Sequence, residues 1–329
     1  MKNLILCHAD ADGMCSGAIA LSKFPGSEIF FTKPVSLLAD LKDVRADRII
    51  ITDIAITKRD APAILNMLRE KAKSSEIWYF DHHPLPSNIN EGDIAKVVKW
   101  YHRLDVSSSE IIYENFKTEI PRERVWVAIY GAISDYAEYT PFIQKVLKNW
   151  EKRALYFEVS TLVLGTKVEE FSTYDIKRDI VKLLARGGNP SDFYGLVNAA
   201  KAAVGLEFDL YNDVKAQAKQ NGNVAWVENL HTFGFRGAAA LFSATVKNTP
   251  VGLCVHSRKG HLDITVRARD PKIDLRRIIE DSAEKIGGSG GGLSDAAGAR
   301  IAEGRLDDFI NLINQHLKTY RGEIPIFEG

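Results

Sequence analysis

The stretch Leu4-Ile5-Leu6-Cys7-His8-Ala9-Asp10-Ala11-Asp12-Gly13 decides the fold of the chain. It opens with an apolar run bounded by polar residues, which is typical of a buried parallel strand. Small or apolar residues then recur at near-helical spacing, at Met14, Gly17, Ala18 and Leu21. The stretch therefore predicts a strand, a loop and a helix. One imidazole and two carboxylates follow the strand at its carboxyl end, where open α/β sheets bind ligands.

The two carboxylates of this loop allow two interpretations. Asp10 and Asp12 are two residues apart, so in extended backbone they point the same way, and they repel each other unless a cation lies between them. Alternatively, the loop is an Asp/Gly turn in which Asp12 caps the following helix. The rest of the chain decides between a metal site and a capped turn.

Two further apolar runs also end in ligand-type residues. Residues 48–53 (RIIITD) end in a carboxylate, and residues 77–83 (IWYFDHH) end in Asp-His-His. In a parallel sheet with right-handed crossovers the carboxyl ends of the strands lie along the same edge. We therefore predict an α/β fold whose N-terminal domain is a parallel sheet with flanking helices and carries these groups along one edge.

The second half of the chain predicts a smaller α/β domain. A polar helix at residues 206–220, which lacks a wide apolar stripe, is expected to link it to the first domain, and the second domain is expected to start near Val224. Residues 261–269 alternate between apolar and polar, as a half-buried strand does. A loop rich in glycine follows at residues 287–298, and residues 322–329 are expected to form a loose tail.

Composition limits the class of protein. The 329 residues suit two domains, and 45% hydrophobic residues supply a core for each. Lys+Arg and Asp+Glu both number 43, so no overall basic field favours duplex DNA or a membrane surface. The three cysteines form no CxxC motif, which argues against a zinc site or a disulfide framework. No run of 18 apolar residues occurs, and we expect a soluble, cytoplasmic protein without a membrane partner.

Taken together, the motifs resemble those of the DHH phosphoesterase superfamily. They occur in the family's order: the His-Ala-Asp-Ala-Asp-Gly stretch, then Thr52-Asp53, Asp81-His82-His83 and Ser134-Asp135. The glycine-rich segment that runs into Ala-Ala-Gly resembles the DHHA1 type of second domain, as found in RecJ-like and nanoRNase-like members. The resemblance implies a DHH catalytic domain at residues 1–200, a linker helix at 201–223 and a DHHA1 substrate-binding domain at 224–329.

The resemblance also implies a site for two divalent metal ions. One ion would be held by His8, Asp10 and Asp53, and the other by Asp12, Asp53, His82 and Asp135, with Asp53 bridging. Mn²⁺ is the expected ion, although Mg²⁺, Co²⁺ or Zn²⁺ suit the same mixture of imidazole and carboxylate. The catalytic residues would be Asp53, Asp81 and His83. His83 would donate a hydrogen bond to a phosphoryl oxygen, and Asp81 would be the carboxylate that orients an imidazole.

Substrate contacts are expected in the second domain. The candidates are the basic residues Arg267, Arg269, His256 and Arg258, and the glycines Gly288, Gly290, Gly291 and Gly292. One departure from the family affects this region, because Leu293 stands where nuclease-type members have a histidine before Ala-Ala-Gly. The missing imidazole removes one donor to the substrate and leaves the metal site unchanged.

The function implied is hydrolysis of phosphodiester bonds in short single-stranded oligonucleotides, RNA or DNA, to mononucleotides by a two-metal exonuclease or oligoribonuclease. Zero net charge favours short substrates over long ones, which need many cationic contacts. The alternatives are a phosphatase for cyclic or linear dinucleotides or for phosphoadenosine phosphate. A pyrophosphatase or exopolyphosphatase and an inactive nucleic-acid-binding scaffold rank lower. A homodimer is compatible with each of these interpretations.

Overall fold

The structure is a computed structural model, and it describes residues 1–231 and 233–320. The chain forms two compact units, of which the first is Met1–Ala203 and the second begins at Val204. The tail predicted at residues 322–329 lies outside the described residues. Within the described chain, no helix is both long and apolar enough to span a membrane.

The first unit is built on a parallel sheet of five strands, as the sequence predicts. The strands are β1 (Asn3–Cys7), β2 (Glu28–Phe31), β3 (Arg48–Thr52), β4 (Glu76–Asp81) and β5 (Lys99–His102). Their order across the sheet is β2-β1-β3-β4-β5. Because β1 pairs with both β2 and β3, and β4 follows β3, the three strands that end in ligand-type residues are neighbours in the sheet.

Helices cover both faces of this sheet, which explains why its strands read as continuous apolar runs. They are α1 (Ala11–Lys23), α2 (Leu37–Asp43), α3 (Ala61–Ala72), α4 (Glu91–Ala95), α5 (Ser108–Phe116), α6 (Val125–Ser134), α7 (Pro141–Leu147), α8 (Lys152–Gly165) and α9 (Tyr174–Arg186). Ile5 and Cys7 of β1 pack in one core cluster with α1, α5, α6 and α9. Leu4 and Leu6 pack in another with α2 and α3.

The helix predicted as the linker has other bounds than expected. Helix α10 (Leu196–Gln217) begins ten residues before the predicted start at residue 206, and it ends before residue 220. Residues Lys219–Asn221 form instead a short strand, β6, that pairs with β7 (Val224–Glu228). The prediction of a helix there was wrong because β6 is polar and exposed, so that only its pairing across the turn at Gly222 defines it.

The second unit is a mixed sheet of six strands covered by helices on both faces. Its remaining elements are α11 (Arg236–Lys247), β8 (Val251–Arg258), β9 (His261–Ala268), α12 (Leu275–Lys285), β10 (Ser289–Gly292), β11 (Ala296–Ala302) and α13 (Leu306–His316). The strand order is β10-β11-β9-β8-β7-β6. Leu253, Val255 and Ile264 face the core shared with α12 and α13. Helix α11 lies on the other face, where a Cβ at Gly252 would overlap the carbonyl oxygen of Ala240.

The glycine-rich segment is a strand, not the loop that the sequence predicts. Strand β10 pairs antiparallel with β11 at the edge of the sheet, with Gly290 opposite Ala299. A Cβ at Gly290 would lie 2.8 Å from the carbonyl oxygen of Ile279 on α12, and one at Gly288 would lie 2.6 Å from that of Arg300. These glycines are therefore required by the close approach of backbone to backbone.

We expect Gly290→Ala to destabilise the chain by about 1–3 kcal/mol, because the added methyl group must displace α12 from β10. Gly291→Ala is the matched control, since no atom lies within 4 Å of a Cβ at that position. Urea unfolding of both variants measures the two free energies. Equal stabilities of the two variants would contradict the packing explanation.

Candidate metal centre

The loop after β1 places its two carboxylates in different roles. Asp10 is the N-cap of α1 and accepts a hydrogen bond from the backbone N–H of Gly13 at 2.9 Å. Its other oxygen lies 2.6 Å from Nδ1 of His8. Asp12 lies in the first turn of the helix and is fully buried. The alternative in which Asp12 caps the helix is therefore wrong, since Asp10 is the cap and Asp12 is free to face the site.

Asp12 is held by the start of another helix. The backbone N–H groups of Ser108 and Ser109, at the N-terminus of α5, donate to its two oxygens at 2.7 and 3.1 Å. Helix N-termini carry a partial positive charge and unsatisfied N–H groups, so they stabilise a carboxylate that has lost its water. On α6, Gly131 leaves the space that Asp12 and Ser109 occupy, because a Cβ there would overlap both side chains.

Asp53 lies between the two groups of ligand-type residues. Its Oδ1 is 3.3 Å from Nε2 of His82, and its Oδ2 is 3.9 Å from Nδ1 of His8. The hydroxyl of Ser108 donates to Oδ1 at 3.2 Å. The residue follows β3 with a φ of 61°, in the left-handed region that few residues other than glycine, asparagine and aspartate adopt. The two oxygens of Asp53 thus face different histidines, one facing His8 and the other facing His82.

Among the described residues, three sets of donor atoms lie close enough together to hold metal ions. The sets are His8, Asp10 and Asp53; Asp12, Asp53, His82 and Asp135; and Asp53, His82 and His83, and within each set the ligand atoms lie within 4.8 Å of one another. The first two are the sets that the sequence analysis assigns to the two ions. All six predicted metal ligands therefore lie along one edge of the sheet.

The environment of His82 tests whether a metal ion fits. Its Nε2 is buried and has no hydrogen-bond partner in the part of the chain that the structure describes, although it lies 3.3 Å from Oδ1 of Asp53 and 3.4 Å from Oδ2 of Asp135. Burial, followed by the neighbouring His83, lowers the pKa of His82. A neutral imidazole that faces two carboxylates with an unpaired nitrogen is the state that metal binding requires. The residues present fit a divalent cation.

Two carboxylates of the cluster, Asp53 and Asp135, have pKa values that are raised well above the usual range. Burial, followed by the charges of Asp10, Asp12 and Asp135, raises the pKa of Asp53 well above its usual range. Burial and the charges of Asp12 and Asp10 do the same to the pKa of Asp135. The repulsion between these carboxylates destabilises the metal-free site, and a cation bound between them would remove that destabilisation.

His83 belongs to a hydrogen-bonded chain of side chains. Its Nδ1 lies 2.9 Å from Oδ1 of the buried Asp81, and the ring of His102 donates from Nε2 to the carbonyl oxygen of His83 at 2.8 Å. Burial alone would disfavour the protonated ring, but the negative charge and hydrogen bond of Asp81 outweigh it, and the pKa of His83 is raised. The Asp81 contact leaves Nε2 of His83 as the ring atom available to a ligand.

Three supporting residues were not identified from the sequence as parts of the site. Ser107 caps α5, as predicted, but Ser108 also binds Asp12 and Asp53. His102 holds the backbone of His83, and Lys177 on α9 donates from Nζ to the carbonyl oxygen of Ala9 at 2.5 Å. The run of three serines at residues 107–109 was the one sequence feature that could have pointed to Ser108. It was interpreted as helix capping alone, which accounts for serines at the start of a helix.

The structure places the substrate-binding candidates of the second unit at two positions along the strand pair β8–β9. His256 pairs with Asp263 and Arg258 with His261 at one end, while Arg267 pairs with Gly252 near the other. The guanidinium group of Arg267 packs against Gly237 at the start of α11. Arg269 follows β9 and binds Oδ1 of Asn248 at 3.1 Å. Leu293 begins the turn between β10 and β11.

We expect Asp53→Asn to stabilise the metal-free chain, since it removes one charge from the crowded carboxylates and leaves an oxygen for Ser108. The raised pKa of Asp53 means that folding takes up a proton. That contribution is complete below the unfolded pKa of about 3.9 and is lost as the pH rises through the folded pKa. In a metal-free buffer with a chelator at pH 8, the melting temperature of the variant should therefore exceed that of the parent by roughly 2–4 °C for each kcal/mol added to the free energy of unfolding. At pH 5 the difference between the two melting temperatures should be smaller.

Differential scanning calorimetry with and without Mn²⁺ measures this effect. With Mn²⁺ present, the parent should melt at a higher temperature than the variant. Asp179→Asn is the control, because Asp179 is an exposed carboxylate paired with Lys182 outside the cluster. A metal-free Asp53→Asn protein that melts below the parent at pH 8 would contradict the repulsion argument.

Comparison with known proteins supports the assignment of the fold. The family model of the DHHA1 domain matches residues 220–319. No curated protein sequence matches the chain. A DHH domain described as belonging to a family of ribosomal proteins is similar in structure, with a TM-score of 0.69 at 14% sequence identity, over 98% of this chain and 87% of that one.

Two similar structures are enzymes by their descriptions. RecJ from Thermus thermophilus, in complex with Mn²⁺, has a TM-score of 0.67 at 17% identity over 98% of this chain and 53% of its own, so the present chain spans about half of its length. The pGpG-specific phosphodiesterase PggH from Vibrio cholerae has a TM-score of 0.57 at 15% identity over 96% of this chain and 98% of its own. The chain therefore carries a DHHA1 domain at residues 220–319 and shares its fold with a DHH-domain protein and with RecJ.

Proposed function

We propose that the chain is a metal-dependent phosphoesterase, a hydrolase that cleaves phosphodiester bonds in short single-stranded oligonucleotides and releases mononucleotides. The observation that carries the proposal is the position of Asp53, whose two oxygens face two separate sets of ligand-type side chains. A carboxylate in that position is what a two-metal phosphoesterase site requires. The Mn²⁺-bound RecJ and the phosphodiesterase PggH share the fold, which supports the same class of reaction.

The proposed ligands of the first ion are His8, Asp10 and Asp53, and those of the second are Asp12, Asp53, His82 and Asp135. Two divalent ions so held would lower the pKa of a bound water and neutralise charge on the phosphate. We propose Mn²⁺ as the resident ion because mixed sets of carboxylate and imidazole suit it. Mg²⁺, Co²⁺ and Zn²⁺ are the alternatives for the same ligands.

The residues of the chain have separate roles in this proposal. His83 donates a hydrogen bond to a phosphoryl oxygen, and its raised pKa favours the protonated ring that can do so. Asp81 accepts from Nδ1 and fixes the orientation of that ring. The amides at the start of α5 donate to both oxygens of Asp12 and oppose the rise in its pKa that burial causes, because they replace the water that burial removes. The first unit thus contains every proposed catalytic group.

The second unit is proposed to bind the rest of the substrate. Arg267, Arg269, His256 and Arg258 are the candidate cationic contacts, and a guanidinium group is well suited to phosphate. Gly288, Gly290, Gly291 and Gly292 lie at or in an edge strand, whose outward backbone groups are available to a ligand. A net charge of zero favours a substrate of a few nucleotides over a long strand.

A dinucleotide phosphodiesterase is the second candidate function. It is favoured by PggH, described as pGpG-specific, which matches this chain over nearly the whole length of both proteins. Phosphoadenosine phosphate belongs to the same group of small substrates. Pyrophosphate and polyphosphate are less favoured, because the second unit carries the glycine-rich segment that runs into Ala-Ala-Gly and matches the DHHA1 domain, which we expect the pyrophosphatase and exopolyphosphatase branches to lack. An inactive scaffold is the least favoured alternative, since all six positions proposed to bind metal carry His or Asp.

A substrate panel in manganese buffer tests the proposal. It compares end-labelled RNA and DNA, from two nucleotides to long oligomers, with pGpG, phosphoadenosine phosphate and pyrophosphate. We expect mononucleotides as products and the highest turnover with the shortest chains. Turnover of pyrophosphate alone, or binding of oligonucleotide without turnover in the presence of metal, would contradict the proposed function.

Two variants separate metal binding from catalysis. Asp53→Ala and His83→Ala should each lower kcat by at least about 100-fold, but only Asp53→Ala should reduce the number of Mn²⁺ ions bound, because His83 is proposed to contact substrate. His316→Ala is the matched control, since that histidine is partly exposed and bound to Asp281 in the second unit. Mass spectrometric metal analysis and single-turnover kinetics give the two readouts. An Asp53→Ala protein with both ions and full turnover would refute the bridging role.

A further inference from the structure

The residue after Asp135 has an unusual conformation. Helix α6 ends at Ser134, and Tyr136 follows the C-cap residue with a φ of 56°. The backbone N–H of Ala137 donates to the carbonyl oxygen of Ala132 at 2.8 Å, which is the bond that closes a helix through a left-handed residue. That position is usually occupied by glycine, because a side chain there is strained.

An aromatic residue at this position destabilises the turn relative to glycine, because its backbone is strained. Among the described residues, the other non-glycine residues with positive φ are Asp53, Asp105, Asn229, Asn248 and Lys259. Four of these are Asp or Asn, whose short side chains bond the local backbone, and Lys259 lies in the turn between β8 and β9; among the described residues with positive φ, Tyr136 is the one aromatic residue. The fold of the turn would therefore be at least as stable with glycine.

Packing does not compensate for this strain. Tyr136 is 84% exposed, so its ring contributes little to the hydrophobic core. By contrast, Tyr130 and Tyr113, on α6 and α5, are buried in the core of the first unit. A strained, exposed aromatic ring that does not stabilise the fold indicates a role in binding.

The position of Tyr136 suggests what it binds. Its neighbour Asp135 lies in the candidate metal centre, 3.4 Å from His82, and its carboxylate is one-quarter exposed, which places it at the open side of the cluster. Consecutive Cα atoms lie about 3.8 Å apart, so the backbone of Tyr136 is directly adjacent to that of a proposed metal ligand. In an oligonucleotide the groups adjacent to the scissile phosphate are ribose and a planar base.

We propose that Tyr136 is a stacking platform for a nucleobase next to the scissile phosphate, and that it makes the enzyme select nucleotides over other phosphoesters. This inference rests on the proposed function and adds a specificity residue to the same site. Stacking of a base on an aromatic side chain tolerates any base, so the residue is expected to favour nucleotides without selecting one sequence. A phenol ring and a phenyl ring should serve equally well.

The test compares a dinucleotide with the same molecule carrying an abasic ribose at either position. The variants are Tyr136→Ala, Tyr136→Gly and Tyr136→Phe, and Tyr194→Ala is the control, because Tyr194 is 97% exposed elsewhere in the first unit. For the parent, kcat/KM should favour the dinucleotide over one of its abasic forms by roughly 5- to 150-fold, the range of one stacked base. That preference should vanish in the Ala and Gly variants and persist in the Phe variant and the control.

Two further results keep the proposal falsifiable. Tyr136→Gly should melt no lower than the parent, which separates loss of stacking from loss of folding. The fluorescence of Tyr136→Trp should be quenched by the dinucleotide and not by the abasic form when turnover is blocked by His83→Ala in the same chain, a variant expected to keep both metal ions. Failure of the parent to hydrolyse any phosphodiester refutes the proposed function. An unchanged base preference in Tyr136→Ala, with normal turnover, refutes the stacking role alone.

Discussion

The repulsion among four carboxylates is the constraint on which the first unit depends. Asp10, Asp12, Asp53 and Asp135 are brought to one edge of the parallel sheet, and the pKa values of Asp12, Asp53 and Asp135 are raised by burial and by one another. A fold that concentrates charge in this way is stable only if the charge is balanced. The amides of α5, the hydroxyl of Ser108 and the imidazole rings balance part of it. A pair of divalent cations would balance the rest.

The sheet supplies the precision that such a site needs. Strands β1, β3 and β4 are neighbours, and the groups that follow them are fixed by backbone pairing instead of flexible loops. Two residues with positive φ lie at the cluster, since Asp53 is a proposed ligand and Tyr136 directly follows another. Stability given up at these residues is supplied by the two core clusters that cover the faces of the sheet.

The sequence was sufficient for the parts of the fold that repeat a simple rule. Apolar runs ending in Asp or His predicted β1, β3 and β4 and the convergence of their ends, because parallel topology leaves few other arrangements. It failed where a partner defines the structure. Strand β6 is recognised only by its pairing with β7, the glycines of β10 only by the helix packed against them, and Ser108 only by the carboxylates that it binds. The sequence suggested Asp12 as a possible cap of α1, and only the position of the helix start shows that Asp10 is the cap.

The bridging of two metal ions by Asp53 is the feature on which the proposed chemistry rests. Anomalous diffraction at the manganese absorption edge, from crystals grown with Mn²⁺, tests it directly. We predict two peaks in the first unit, one beside His8 and Asp10 and the other beside Asp12, His82 and Asp135, with one oxygen of Asp53 bound to each ion. A single peak, or two peaks that do not share Asp53, would contradict this arrangement.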